Sequence, residues 1–159
     1  MHWIFGAISL ALAVGLGIHT RSLKPRVFRA QLTFSEAAFR RVLAQWTPEG
    51  RELFAAHFRA DYLFLVAYAG FGFFLARHFA PGPGVLPSWL MLALPWLLPL
   101  AAAFDAIENI LHQRFLSVLP GTLPEIWFAI SGAAASAKWL LSIIFIVGVA
   151  LSLLATRAP

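Results

Sequence analysis

The chain has 159 residues, 60% of them hydrophobic and only 12% charged, with a formal net charge of +5. Soluble domains hold about 25% charged and 45–50% apolar residues, so this composition points to a single membrane-embedded unit, 1–159. The absence of cysteine excludes disulfides, thiolate metal sites and thiol nucleophiles.

In chain order, residues 3–19 are apolar apart from Ser9 and the terminal His19. At about 1.5 Å per residue they just cross a ~30 Å hydrocarbon core. Only Met1 and His2 precede them, without Lys or Arg, and no small-x-small cleavage site comes before the basic run that follows. The stretch therefore reads as a retained span, about 2–20, rather than a signal peptide. Gly6, Gly15 and Gly17, with Ala7, Ala11 and Ala13, predict close packing against a neighbour.

Residues 21–57 form the one substantial extramembrane region. Arg21, Lys24, Arg26 and Arg29 come first, with Pro25 breaking the helix. The run Thr33-Phe34-Ser35-Glu36 matches a capping box, in which Thr33 caps and Glu36 reaches back. The helix predicted over about 33–46 carries Ala38, Phe39, Val42, Leu43 and Trp46 on one face, with Arg40, Arg41 and Gln45 largely elsewhere. Such a helix suits a lipid interface or the end of a bundle, out of water. Thr47 and Pro48 then read as N-cap and first residue of the next helix.

The second span covers about 58–80 and begins as a helix near Pro48. Pro81-Gly82-Pro83-Gly84 makes a rigid connection. The third covers about 86–112, bent by Pro95 and Pro99. Pro120-Gly121-Thr122-Leu123-Pro124 turns the chain into the fourth, about 125–154. Arg21, Lys24, Arg26, Arg29, Arg40, Arg41, Arg51 and Arg114 fall on one side of this arrangement, against Arg77 and Arg157 on the other. That imbalance places 21–57 and the 113–124 turn in the cytoplasm and both termini outside. The basic cluster thus reports orientation and contact with membrane lipid, and no nucleic acid.

Lys138 lies about midway through the fourth span, where a charge costs about 2.5–3.5 kcal/mol on insertion scales and requires a partner within the protein. Asp105, Glu108, Asn109 and His112 share one face of the third span at i, i+3, i+4 and i+7. The second span offers Asp61, Leu65, Tyr68 and Gly72 on one face, and the fourth Ser131, Ala135, Lys138 and Ser142. Helical side chains lean toward the N-terminus, so Lys138 reaches toward the layer of Asp105, with Glu108 one turn shallower as the alternative partner. Asp105, Glu108 and Asp61 outnumber the single lysine, so at least one carboxyl is protonated, metal-bound or hydrated. A purely structural role, fixing helix register, is the competing reading of such a network.

His19, His57 and His112 sit at the cytoplasmic boundary, and with Asp61 and Glu108 they are the candidates for a lower-ranked metal site. The Glu-x-x-His motif of carboxylate bundles is missing, and no cofactor is firmly implied. Ser131, Ser136 and Ser142 have no nucleophile elbow near them. Of the six tryptophans, Trp96 and Trp139 lie deepest and either line a pocket or fill the core, with core the favoured reading; the others include several at the interfaces.

The stretch Asp61-Tyr62-Leu63-Phe64-x-x-x-Tyr68, then Asp105-Ala106-Ile107-Glu108-Asn109, then Lys138-Trp139, resembles an uncharacterised family of small four-helix bacterial integral membrane proteins. Leu43-Ala44-Gln45-Trp46 before the second span is similar too. The likeness covers most of the chain after the first helix. It implies an all-α four-helix membrane bundle in the bacterial inner membrane with a recurring polar site, and no reaction.

The expectation is a cytoplasmic-leaflet site of Asp61, Tyr68, Asp105, Glu108, Asn109 and Lys138 that binds an amphiphilic small molecule such as a lipid, isoprenoid or quinone. If the site is catalytic, Asp105 or Glu108 is the general acid/base and Lys138 stabilises developing negative charge. The alternative is an accessory or assembly subunit that packs against a partner membrane subunit or a second copy of itself. A proton or ion pathway ranks below both, since four helices leave little room for one. A pocket walled by the polar residues favours the first reading, and a fully satisfied network without a cavity favours the second.

Overall fold

Apolar stretches of this length satisfy their backbone groups internally only as helices, and the chain is helical wherever it is ordered into elements. The structure is a computed structural model describing residues 1–78 and 86–155. Its helices are α1 (His2–His19), α2 (Phe28–Gln31), α3 (Glu36–Ala44), α4 (Pro48–His78), α5 (Ser88–Ser117) and α6 (Glu125–Ala155), with no strand among the described residues. Four of them, α1, α4, α5 and α6, are long and apolar enough to cross a membrane. The expected Pro81-Gly82-Pro83-Gly84 connection, the last two residues of the 58–80 span and Arg157 lie outside the described residues.

Two boundaries match the sequence reading closely. Thr47 caps α4, its Oγ1 accepting from Gly50 N at 3.1 Å, and α6 starts at Glu125. Two others differ. The third span does not stop at His112 but continues to Ser117, because Phe115 buries its ring against Phe128, with centroids 4.0 Å apart. The short α2 has no counterpart in the sequence reading, since a four-residue turn carries no periodic signal.

The capping box is a correction. Ser35 is the N-cap of α3, accepting from Ala38 N at 3.3 Å, while Thr33 donates its hydroxyl to Ala30 O at 2.7 Å. Glu36 turns outward to accept from Gly121 N at 3.0 Å and to pair with Arg40. In its place Glu125, at the start of α6, accepts from Glu36 N at 2.8 Å. The orphan amides of α3 are thus satisfied across the tertiary structure, and the helix runs over 36–44 rather than 33–46.

Arg40, expected largely off the apolar face, donates to Phe115 O and Val118 O at 3.2 and 3.3 Å. It places a cation against the unpaired carbonyls at the C-terminus of α5, where the helix dipole favours positive charge. Phe39, Leu43 and Trp46 are buried, and Trp46 Nε1 donates to Pro25 O at 2.7 Å. The 21–47 segment is therefore folded onto the end of the helices.

The long helices make their extensive contacts in chain order, α1 with α4, α4 with α5, and α5 with α6, while α4 and α6 share no extensive contact. One core of Leu65, Leu94, Leu98, Ala101 and Phe145 fills the middle. A second, of Phe39, Trp46, Phe54, Phe115 and Phe128, fills the end beneath α3. On α5 the first cluster ends at Ala102 and the second begins at Leu111. The polar residues fall in the gap between them.

α1 is the outermost helix, with Trp3, Ile4 and Leu10 exposed. Of its glycines, Gly6 abuts the ring of Phe71, while Gly15 and Gly17 face open space, so close packing holds only at the first. Among the described glycines, the one set against another segment's main chain is Gly132 on α6. A Cβ there would stand 2.6 Å from Thr33 O and 2.8 Å from the Phe34 ring. Gly132→Ala should cost about 1–3 kcal/mol, since a main-chain oxygen cannot rotate aside. Gly15→Ala should be neutral or stabilising by up to about 1 kcal/mol, from helix propensity alone. Thermal unfolding of both variants in mild detergent checks this; equal effects would refute the α6 contact.

Candidate functional site

Each helix presents its polar residues for a local reason. On α5 the i, i+3, i+4, i+7 spacing stacks Asp105, Glu108, Asn109 and His112 on the side turned inward, and all four are buried. On α6 the same arithmetic buries Ser131, Ala135 and Lys138, and on α4 it buries Leu65, Tyr68 and Gly72. Asp61, one turn before Leu65, is half-buried.

The lysine takes both expected partners at once. Lys138 Nζ lies 2.7 Å from Asp105 Oδ1 and 2.6 Å from Glu108 Oε2. The backward lean of a side chain on α6 and the one-turn separation of the two acids on α5 make this double contact possible. Tyr68 donates its hydroxyl to Asp105 Oδ2 at 3.3 Å. Asn109 Nδ2 donates to Asp61 Oδ2 at 2.6 Å, tying α5 to α4. The ammonium also stands 5.7 Å from the Trp139 ring centroid, within cation–π range.

The network is not closed. Glu108 is in ion-pair contact with Lys138, yet neither of its oxygens has a well-directed hydrogen bond, and Ser131 Oγ and His112 Nε2 are also buried without one. His112 Nδ1 stands 3.7 Å from Glu108 Oε1, too far for a hydrogen bond. Buried polar atoms left in this state are uncommon.

Because α4 and α6 do not close on each other, a cleft of about 360 Å³ remains between them, floored by α5. Asp61, Tyr68, Asp105 and Lys138 form its polar wall. Phe64, Phe71, Leu98, Trp139, Phe145 and Ile146 form the apolar remainder, with Ser142 beside Lys138 and Gln31 of α2 also on the lining. Trp139 and Ile146 are exposed on the outside of the helices, so the cleft opens sideways. Four of the six residues expected at the site reach it. Glu108 and Asn109 are not on the lining; they hold Lys138 and Asp61 from behind.

Two expectations are corrected here. Trp96 and Trp139 are 57% and 42% exposed, so neither is core, and Trp139 lines the cleft as the other reading had it: an apolar face at mid-span can point outward or into a cleft. The histidines do not gather either. His19 Nε2 lies 3.2 Å from Leu53 O, His57 stacks on Phe54 and contacts that residue's carbonyl, and His112 stacks on Phe39. Among the described residues no three His, Asp or Glu side chains converge as metal ligands would. The metal arrangement considered for His19, His57, Asp61, Glu108 and His112 is therefore not formed. Boundary histidines on three helices share a depth without sharing a point.

Gln31 was not legible at all, because only the docking of α2 brings it to the cleft. Ser142 was legible as the residue one turn beyond Lys138 on the same face. Chemically, the wall offers an ammonium, a carboxyl, a phenol and a second carboxyl at the end of an apolar slot. That set can hold one polar head by donating from Nζ and accepting at Asp105 or Asp61. Comparison with protein-family models, with curated proteins and with solved structures finds no match for this chain.

Proposed function

We propose that the protein is a multi-pass protein of the bacterial inner membrane whose α4–α6 cleft binds an amphiphilic small molecule, a lipid, isoprenoid or quinone. The observation that carries the reading is the sideways-opening cleft itself, with a polar wall at Lys138–Asp105 and aromatic and aliphatic sides. An amphiphile entering from the bilayer would place its polar head against Lys138, Asp105, Tyr68 and Asp61 and its chain along Phe71, Phe145 and Ile146. Glu108 and Asn109 would orient the residues that touch it. If a reaction occurs there, Asp105 is the acid/base in reach and Lys138 the group that meets developing negative charge.

Membrane embedding is supported by four helices of sufficient length and by the outward apolar residues that each carries, such as Ile8, Val66, Leu92 and Ile143. The Lys and Arg distribution supports a cytoplasmic 21–57 segment. An Arg29→Cys variant should resist membrane-impermeant thiol reagents in intact cells and react in inverted vesicles. Labelling from outside would reverse the orientation.

The cleft is tested by filling it. Ser142 is half-buried, and its hydroxyl merely bonds back to Lys138 O, so Ser142→Trp should fold while blocking the slot. Mass spectrometry of protein purified in mild detergent should find an amphiphile retained by the natural chain and lost from the variant. Retention by neither would return the network to a structural role in an accessory subunit.

A further inference from the structure

A second cavity, about 700 Å³, lies between the 25–33 stretch and α3. Arg26, Arg29 and Arg41 line it and no acidic side chain does. Their neighbour Arg40 is taken up by Glu36 and by the carbonyls at the end of α5. The other three have no such partner among the described residues. Three arginines lining one space without an acidic side chain concentrate positive charge there, and buried apolar neighbours fix the backbone that carries them: Ala30 follows Arg29, and Leu43 lies two residues beyond Arg41. An anion balances that charge, and guanidinium forks match phosphate oxygens in pairs.

This groove and the cleft share α2 as a wall. Phe28 lines the groove and meets the ring of Trp139, which lines the cleft, edge to face at 5.6 Å. Gln31, at the other end of the same helix, lines the cleft. Phe28 and Trp139 are both partly exposed, so together they form an apolar saddle between the basic groove and the slot.

We propose that the ligand is a phosphorylated amphiphile, its terminal phosphate or pyrophosphate held by Arg26, Arg29 and Arg41 and its chain crossing Phe28 and Trp139 into the cleft. The assignment rests on the cleft reading above and specifies the chemical class of its ligand. Three cations match a terminal phosphate, with about −1.5 to −2 charge near neutral pH, or a pyrophosphate, better than a phosphodiester with a single negative charge. In this arrangement the polar head extends over both sites: the groups around Lys138 meet its uncharged part next to the chain, and the three arginines meet its phosphate.

The test compares lipids with identical acyl chains in native mass spectrometry of the detergent-solubilised full chain: phosphatidic acid, phosphatidylglycerol and diacylglycerol, with inorganic pyrophosphate as a head-only probe. The natural chain should bind phosphatidic acid at least about tenfold more tightly than the other two lipids. The triple variant Arg26→Gln, Arg29→Gln, Arg41→Gln should lose that preference yet bind diacylglycerol as before. These side chains are exposed and unpaired, so its thermal midpoint should stay unchanged. Ser142→Trp should weaken all three lipids while leaving pyrophosphate binding intact. Equal binding of phosphatidic acid and diacylglycerol by the natural chain overturns the phosphate assignment and leaves the cleft reading standing. Equal binding of phosphatidic acid and phosphatidylglycerol overturns the terminal-phosphate assignment. Pyrophosphate binding as tightly as phosphatidic acid, with no lipid affected by Ser142→Trp, makes the groove a free-phosphate site and sinks both readings.

Discussion

Lys138→Met should lower unfolding stability in detergent by about 3–5 kcal/mol, the range for removing one partner of a buried ion pair. The reason lies in the double contact. With Nζ gone, Asp105 and Glu108 remain one turn apart in the interior without a cation, and only the Tyr68 hydroxyl still reaches Asp105. Either acid removed alone should cost less. In Asp105→Asn the lysine keeps Glu108 at 2.6 Å, and in Glu108→Gln it keeps Asp105 at 2.7 Å. Combining Lys138→Met with Asp105→Asn and Glu108→Gln should recover much of the loss, because a buried pair replaced by neutral groups of similar volume is often nearly neutral. Thermal or denaturant unfolding of the full set forms the cycle. Additive losses across all three positions would mean that the three groups do not act on one another.

Phe39→Ala should be comparably severe, about 3–5 kcal/mol, as for other fully buried phenylalanines. Phe39 is wholly buried, and its ring meets His112 in a stack at 5.1 Å, Phe115 edge-on at 5.3 Å and Phe128 at 6.1 Å. Beside the hydrogen bonds of Glu36 and Arg40, it is an apolar contact through which α3 is held on the ends of α5 and α6. Phe39→Leu should restore most of the stability by refilling the volume. Hydrogen exchange should rise over residues 28–46 in the alanine variant and remain low in the leucine one. Unchanged protection in Phe39→Ala would show that α3 is anchored by Arg40 and Trp46 instead. The ring also stacks over His112, which lies beside Glu108, so its loss admits water to the polar layer. Amphiphile retention should therefore fall with the alanine variant as well.

Four apolar spans, about 2–20, 58–80, 86–112 and 125–154, were legible in the sequence, because a helix of that composition needs no tertiary contact to satisfy its backbone; that the third runs on to Ser117 was not. Legible too was the meeting of Lys138 with Asp105, with Glu108 as the alternative partner. A charge at mid-span has few possible partners, and helical periodicity together with side-chain lean put both acids within its reach. Three things were decided only by the fold. Lys138 takes two acids rather than one because Glu108 stands where α5 packs on α6, a rotation that the spacing of one helix does not determine. The caps of α3 come from Glu125 and Ser35, and the partners of Arg40 from the end of α5, since orphan amides and carbonyls accept whichever polar group tertiary packing delivers. The cleft itself exists because α4 and α6 stay apart across α5, which places Trp139 and Gln31 on its walls. No periodicity records a gap between helices that are not neighbours in the chain.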